Sequence, residues 1–169
     1  MRFGRKARFV APGILALACG GGPSFDGHVF KNDQLSFRVA NAPGGFRPVA
    51  PDGALLAYRD DEEGATIALS GRCGKDGDDV PLEALTHHLF LQFTERNVES
   101  QEKFTLDGRE ALRTTLTAKL DGVEKHFSVV VLKKNGCVYD FLMVERAGGS
   151  HSAEQRFSEF VEGFRSIAP

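Results

Sequence analysis

The amino-acid sequence predicts an α+β fold, with two helices packed on an antiparallel sheet of about six to seven strands. Asp-Gly or Asn-Gly pairs begin at Asp107, Asp121 and Asn135, fourteen residues apart, and such pairs are the preferred two-residue hairpin turns. Two other segments place apolar residues at helical spacing. These observations predict the order βββ-α-ββββ-α in one domain, which suits a chain of 169 residues.

The first part of the predicted domain contains three strands and a helix. Apolar runs bounded by turn residues predict strands over 34–40, 54–59 and 66–72. We expect the acidic run that begins at Asp60 to be a solvated hairpin tip. A helix is predicted over 81–95, because its apolar residues recur on one helical face and Pro81 suits a first turn. Those apolar residues are Leu82, Leu85, Leu89 and Phe93.

The second part is predicted to be a four-strand meander followed by a helix. The Gly-containing turns separate strands over 98–106, 110–120, 123–133 and 137–145. The near-continuous apolar run 127–132 is typical of a central strand that is covered on both faces. A last helix is predicted over 152–164, with Ser152 and Gln155 forming a capping box. The fourteen Phe residues, against two Tyr and no Trp, are interpreted mainly as core packing.

This order of elements resembles the PsbP-like family, which includes the photosystem II extrinsic protein and the Mog-type Ran-binding proteins. In that family a strand runs into a Pro-Gly-aromatic corner, here residues 37–39 followed by 43–46, with Phe46 where the family usually has Trp. The family's aromatic last helix and short apolar tail would match Phe160, Phe164 and Ile167. The resemblance covers about 28–167 and implies a fold but no single activity.

The first residues are interpreted as an export signal. Four Lys or Arg residues precede the uncharged run 9–18, which is too short to span a bilayer. The run ends in a small-x-small pattern at Ala16 and Ala18. A plain secretory signal, which would leave Cys19 free, and a genuine N-terminal helix are the alternatives.

The segment 15–19 resembles a bacterial lipobox, in which the cysteine after the cleavage point is acylated. The resemblance implies a signal peptide over 1–18, lipidation of Cys19 and a tether over 19–27. The PsbP-like α+β domain is then predicted over 28–169. The partner would be the lipid bilayer, since two or more acyl chains give stable attachment. No acidic residue directly follows Cys19, which by resemblance to the enteric sorting rule favours the outer over the inner membrane.

The charge of the chain argues against a nucleic-acid partner. Removal of 1–18 takes away four basic and no acidic residues, which leaves 17 Lys and Arg against 23 Asp and Glu, a formal charge of −6. A basic footprint for nucleic acid is therefore not expected. The same balance argues against a polybasic membrane-surface role.

Two cysteines remain once Cys19 is assigned to lipid. Cys73 ends one predicted strand and Cys137 begins another, and cysteine pairs commonly bond in exported proteins. We expect a disulfide between them. Two separate buried cysteines are the main alternative, and a metal pair is disfavoured because neither has a ligand at the usual spacing.

No metal, cofactor or catalytic site is predicted. Asp76, Asp78 and Asp79 are weak metal candidates in an acidic loop that lacks EF-hand spacing. His87 and His88 are adjacent, so their side chains point in different directions on a helix. We interpret them as polar residues at the boundary between the buried and exposed faces of that helix. The segment 148–151 lacks a nucleophile elbow and is interpreted as a loop leading into a capped helix.

Three functions follow as hypotheses. The first is a non-catalytic envelope lipoprotein that binds an envelope protein of unknown identity. The second is a lipoprotein that binds a small molecule or divalent ion, which would require a concave apolar pocket with a few converging polar groups. The third, a hydrolase, is disfavoured because no nucleophile–base pair can be named.

Overall fold

The computed structural model describes residues 22–74 and 80–168 and confirms the predicted α+β class. Two helices and eleven strands are found in these residues. The strands are β1 (Ser24–Phe25), β2 (Val29–Lys31), β3 (Ser36–Arg38), β4 (Arg47–Pro48), β5 (Leu56–Asp60), β6 (Ala65–Cys73), β7 (Thr94–Leu106), β8 (Arg109–Leu120), β9 (Val123–Lys134), β10 (Cys137–Arg146) and β11 (Arg165–Ile167). The helices are α1 (Leu82–Leu89) and α2 (His151–Glu162).

The strands form two antiparallel sheets instead of the single sheet that was predicted. The large sheet has seven strands in the order β4-β5-β6-β10-β9-β8-β7, and the small sheet has four in the order β1-β2-β3-β11. The predicted strand over 34–40 shortens to β3 and belongs to the small sheet. There β3 pairs with β11, whose residues lie at the other end of the chain.

The large sheet is covered on both faces. One face packs against α2 and the small sheet, with Phe37, Phe157 and Phe164 fully buried. The other face packs against α1 through Leu82 and Leu85. The central strand β9 alternates between the two cores, and its residues 127–132 are all buried, as predicted for a strand covered on both sides. Most of the Phe residues contribute to this packing, as expected.

All three predicted hairpin turns are present. The first turn residues Asp107, Asp121 and Asn135 have φ of 50°, 52° and 55°, and each is followed by a glycine that also has positive φ. Both turn positions require the left-handed region, which Asp, Asn and Gly adopt at the lowest cost. The turns therefore fix the registers between β7, β8, β9 and β10.

The first helix is shorter than predicted. It ends at Leu89 with Phe90 as its C-cap, not at residue 95, and β7 begins at Thr94. Phe93 still enters the core, because its ring stacks on Phe127 with centroids 4.7 Å apart. The prediction ran past the end of the helix because Phe93, in the following turn, continues the apolar spacing of the helix.

The N-cap of α2 also differs from the prediction. Ser150 is the N-cap, and its hydroxyl accepts from the Ala153 amide at 3.3 Å. The predicted capping box of Ser152 and Gln155 is wrong, since the Gln155 amide donates to Glu159 instead. Residues 148–150 do lead into a capped helix, as expected.

In the part of the chain that the structure describes, strand β7 forms one edge of the large sheet and pairs with β8 alone. Most of its 13 residues are exposed, and five of them are charged. Two register shifts interrupt its pairing with β8, one between Thr94 and Asn97 and one between Val98 and Ser100. Charges and bulges of this kind discourage further strands from pairing with an edge.

Candidate functional site

A polar cleft of about 520 Å³ lies at the end of the large sheet that carries two hairpin turns. The start of α1 forms one wall, and the β7–β8 and β9–β10 hairpins form the others. Its lining is mostly charged and polar: Pro81, Leu82, Glu83, Lys103, Arg109, Glu110, Lys133, Lys134, Asn135 and Gly136. A lining of this kind suits a polar ligand and differs from the apolar pocket that a small-molecule function would require.

The lysines of the cleft bind neighbouring groups of the protein. The ammonium of Lys103 lies 3.1 Å from a Glu83 oxygen and 3.2 Å from a Glu110 oxygen, and hydrogen bonds to these carboxylates raise the pKa of Lys103. Lys133 donates to the Val80 carbonyl at 2.8 Å. The charged groups of the cleft are therefore largely engaged in interactions within the protein.

Asp107 connects this end of the large sheet to the small sheet. One oxygen of its carboxylate accepts from the Ser166 amide at 2.8 Å and the Ser166 hydroxyl at 3.0 Å, and lies 2.7 Å from the Lys134 ammonium. Burial raises the pKa of Asp107, but these bonds outweigh it and hold the pKa below its ordinary value. Strand β11 is thus attached to a hairpin turn by a charged hydrogen-bond acceptor.

The disulfide predicted between Cys73 and Cys137 is present and lies beside the cleft. The two residues are direct register partners on the neighbouring strands β6 and β10. The bond encloses a chain separation of 64 residues, which includes α1 and strands β7 to β9. It therefore connects the two ends of the segment that forms most of the cleft.

A second charged cluster, which the sequence analysis missed, lies on the α2 face of the large sheet. His126 Nδ1 is 2.9 Å from Glu145 Oε1, and His126 Nε2 is 3.3 Å from Glu99 Oε2. The Glu145 side chain is 1% exposed, and its Oε2 has no hydrogen-bond partner among the described residues. Burial raises the pKa of Glu145, against the opposing effect of His126.

Strand register explains why this cluster escaped sequence reasoning. Glu145 and His126 are partners across β10 and β9, while Glu99 lies at the bulge in β7 between Val98 and Ser100. Bulges redirect side chains, and neither this bulge nor the strand register is visible in a motif. The alternation of charged and apolar residues in β10 was the only available signal.

Asp140 forms another buried carboxylate, on the α1 face. It is paired with Arg72, and its side chain is 4% exposed. Its Oδ1 has no hydrogen-bond partner within 22–74 and 80–168, and burial raises the pKa of Asp140 against the effect of Arg72. This pair bridges β10 and β6 diagonally, because the register partner of Asp140 is Ser70 and that of Arg72 is Val138.

The acidic run at residues 60–63 is more ordered than the solvated tip that was expected. Asp60 is 3% exposed and lies 3.3 Å from the Arg156 guanidinium. Arg156 also bonds to Glu63 at 2.9 Å and to the Gly44 carbonyl at 2.7 Å, and its guanidinium lies 5.5 Å from the centre of the Phe46 ring. This arginine on α2 therefore binds both the hairpin tip and the corner at 43–46.

Several predicted site residues lie outside the described part of the chain. These are Cys19 and the weak metal candidates Asp76, Asp78 and Asp79. His87 and His88 are exposed on α1. Within 22–74 and 80–168, no group of three or more His, Cys, Asp or Glu residues could hold a metal ion. Within the same ranges, no helix is long and apolar enough to cross a membrane.

Neither a protein-family description nor a curated protein sequence matches this chain. Solved structures match its fold. The solution structure of a cyanobacterial PsbP (CyanoP) from Synechocystis aligns over 92% of this chain and 100% of its own, with a TM-score of 0.56 and 17% identity. LpqN of Mycobacterium tuberculosis, involved in cell envelope biogenesis, aligns over 87% and 90%, with a TM-score of 0.54 and 16% identity.

A mutant form of Mog1 aligns over 80% of this chain and 92% of its own, with a TM-score of 0.54 and 14% identity. For a Bacteroides thetaiotaomicron protein with a TM-score of 0.55 and 12% identity, 78% of this chain spans only 45% of the other. At these identities the likeness shows the fold alone, and it confirms that the predicted PsbP-like fold is correct.

Proposed function

We propose that this chain is a non-catalytic accessory domain of the bacterial cell envelope, anchored in a membrane through acylated Cys19. The observation that carries the proposal is the short distance between the lipobox and the folded domain. Strand β1 begins at Ser24, only five residues after the lipobox cysteine and inside the range 19–27 assigned above to the tether. Five residues span at most about 17 Å, so an acyl group on Cys19 would hold the domain close to the bilayer.

The chemistry of the described residues supports a binding role more than a catalytic one. The clustered charged groups are engaged in ion pairs within the protein. Ser128, near the His126 cluster, donates a hydrogen bond to Glu154. Ser150, at the start of α2, donates one to Glu63. The likeness to LpqN, a protein involved in cell envelope biogenesis, supports placing this role in the envelope. The outer membrane is proposed because Gly follows Cys19.

Metabolic labelling with a fatty-acid analogue tests the anchor. The natural chain should incorporate label and fractionate with the outer membrane, and Cys19→Ser should abolish both. Cys73→Ser, in which a different cysteine is removed, is the matched control and should still be labelled. Labelling that survives Cys19→Ser contradicts the anchor. Chemical crosslinking in intact envelopes then tests the accessory role, which predicts one specific envelope protein captured by the natural chain and lost with Cys19→Ser.

A further inference from the structure

The outer face of the small sheet carries an unneutralised group of cations. Its residues are defined by strand register, since Lys31 pairs with Ser36 and Arg38 pairs with both Val29 and Arg165. The alternate residues Phe30 and Phe37 point into the core and are buried. Lys31, Arg38 and Arg165 are therefore on the opposite face, where all three are exposed.

Arg38 and Arg165 are direct cross-strand partners. Like charges in this position destabilise a sheet, and no carboxylate of the described residues forms an ion pair with either of them. Arg165 donates instead to the carbonyls of Glu162 and Phe164. The four strands of this sheet contain three basic residues and no acidic one. On adjoining turns, Asp26 accepts from the amides of His28 and Val29. Asp107, which binds Ser166 of β11, is paired with Lys134.

The chain enters the domain on this same sheet. Ser24 pairs with Lys31, so the four residues between Cys19 and β1 lead to the edge of the basic face. Across the sheet, Ile167 adds an exposed apolar side chain, 38% accessible. Four strands spaced about 4.8 Å apart span about 14 Å, which is comparable to the reach of the tether.

We propose that the outer face of the small sheet lies on the anionic phospholipid surface of the membrane that holds Cys19. This rests on the anchoring proposed above and adds an orientation to it. The mature chain has a formal charge of −6, so a bilayer of the same sign repels most of the domain, and the basic face is the surface that is attracted. The hairpin turn at Asp121, which lies at the other end of β8 from Asp107, would then lie away from this contact.

Chemical labelling of lysines on reconstituted vesicles tests the orientation. The protein that carries its lipid on Cys19 is incorporated into vesicles of phosphatidylcholine alone or mixed with phosphatidylglycerol, and a water-soluble reagent that labels lysine amines is added. We expect Lys31 to react about five-fold more slowly on the anionic vesicles, and Lys119, on the long hairpin that ends at Asp121, to react equally on both. High salt should remove the difference, since it screens exposed charges.

Two matched variants keep Lys31 as the reporter. Arg38→Glu should abolish most of the protection of Lys31, whereas Lys125→Glu, with the same change of charge on β9 far from the small sheet, should preserve it. Equal labelling of Lys31 on both vesicles, with the protein acylated and sedimenting with both, overturns the orientation and leaves the anchor intact. A mature chain that carries no acyl group on Cys19 overturns the anchor, and the orientation with it.

Discussion

Arg156 shows how one side chain can hold three separate segments. It extends from α2 to the hairpin tip at Asp60 and to the corner that ends in Phe46. Asp60 is almost fully buried, and its other oxygen accepts the amides of Glu62 and Glu63. A buried carboxylate of this kind needs the guanidinium, because an unpaired charge in the interior is costly.

We therefore predict that Arg156→Ala lowers the free energy of unfolding by about 3 kcal/mol, since it leaves the Asp60 carboxylate buried without its cation. Arg59→Ala is the control. Arg59 pairs with Asp61 where both side chains are more than half exposed, and such solvent-screened pairs contribute little to stability. Urea denaturation measures both changes, and equal losses would contradict the importance of burial.

Glu145 leads to a prediction about pH. Burial raises the pKa of Glu145 in the folded protein, so the folded state binds this proton more tightly than the unfolded state. The resulting destabilisation is absent below pH 4.5, grows as pH rises toward the folded pKa and is complete above it. Glu145→Gln removes this titration. The free energy of unfolding of the variant, relative to the natural protein, should thus increase between pH 4 and pH 7. A difference that does not change with pH would contradict the prediction.

At the scale of elements, β11 depends on a side chain in a distant turn. This strand has three residues, too few to be stable by themselves, and Asp107 binds both the amide and the hydroxyl of Ser166. The carboxylate at the start of the β7–β8 turn thus does two things: it favours the left-handed backbone of the turn and it fixes the last strand of the small sheet.

Asp107→Gly separates these two roles. Glycine keeps the left-handed turn but loses the bonds to Ser166 and Lys134, so we expect the free energy of unfolding to fall by about 2 kcal/mol. Asp121→Gly is the matched control, since Asp121 has the same positive φ at an exposed turn, and its effect should be close to zero. Hydrogen exchange of the Ser166 amide should accelerate only in Asp107→Gly. Unchanged exchange would show that β11 is held by other contacts.

The sequence predicted those elements whose causes are local. The Asp-Gly and Asn-Gly turns specify their own backbone geometry, and the apolar run around Val129 specifies a strand buried on both sides. The small sheet was missed for the opposite reason. Its strands have two or three residues, and the second partner of β3 is β11, which lies at the far end of the chain. The end of α1 was missed because Phe93 continues the helical spacing after the helix has stopped.

The candidate sites were less predictable than the fold. The disulfide could be inferred from the predicted export signal and from the count of cysteines. The cleft, the His126 cluster and the contacts of Arg156 could not, because each brings together residues that are far apart in the sequence. In the His126 cluster, strand register and a bulge place these residues together. The basic face was hidden by the net negative charge, which averages over a molecule whose cations are unevenly placed.

At the scale of the whole molecule, the disulfide encloses a large part of the domain. Because the segment between Cys73 and Cys137 contains one helix and three strands, the bond restricts the unfolded chain considerably. We predict that the double variant Cys73→Ala and Cys137→Ala lowers the free energy of unfolding by about 4 kcal/mol. Reduction of the natural protein should have a similar effect. Two reactive thiols in the denatured but unreduced mature protein would contradict the bond.

The exposed edge strand β7 has a consequence for a protein confined to a surface. Molecules tethered to one bilayer meet each other at a much higher effective concentration than molecules free in solution. An uncharged, regular edge of 13 residues would then be a template for joining neighbouring copies strand to strand. The five charges and two bulges of β7 oppose this association, so a domain held on a membrane by the proposed anchor could be crowded there without pairing to its neighbours through β7.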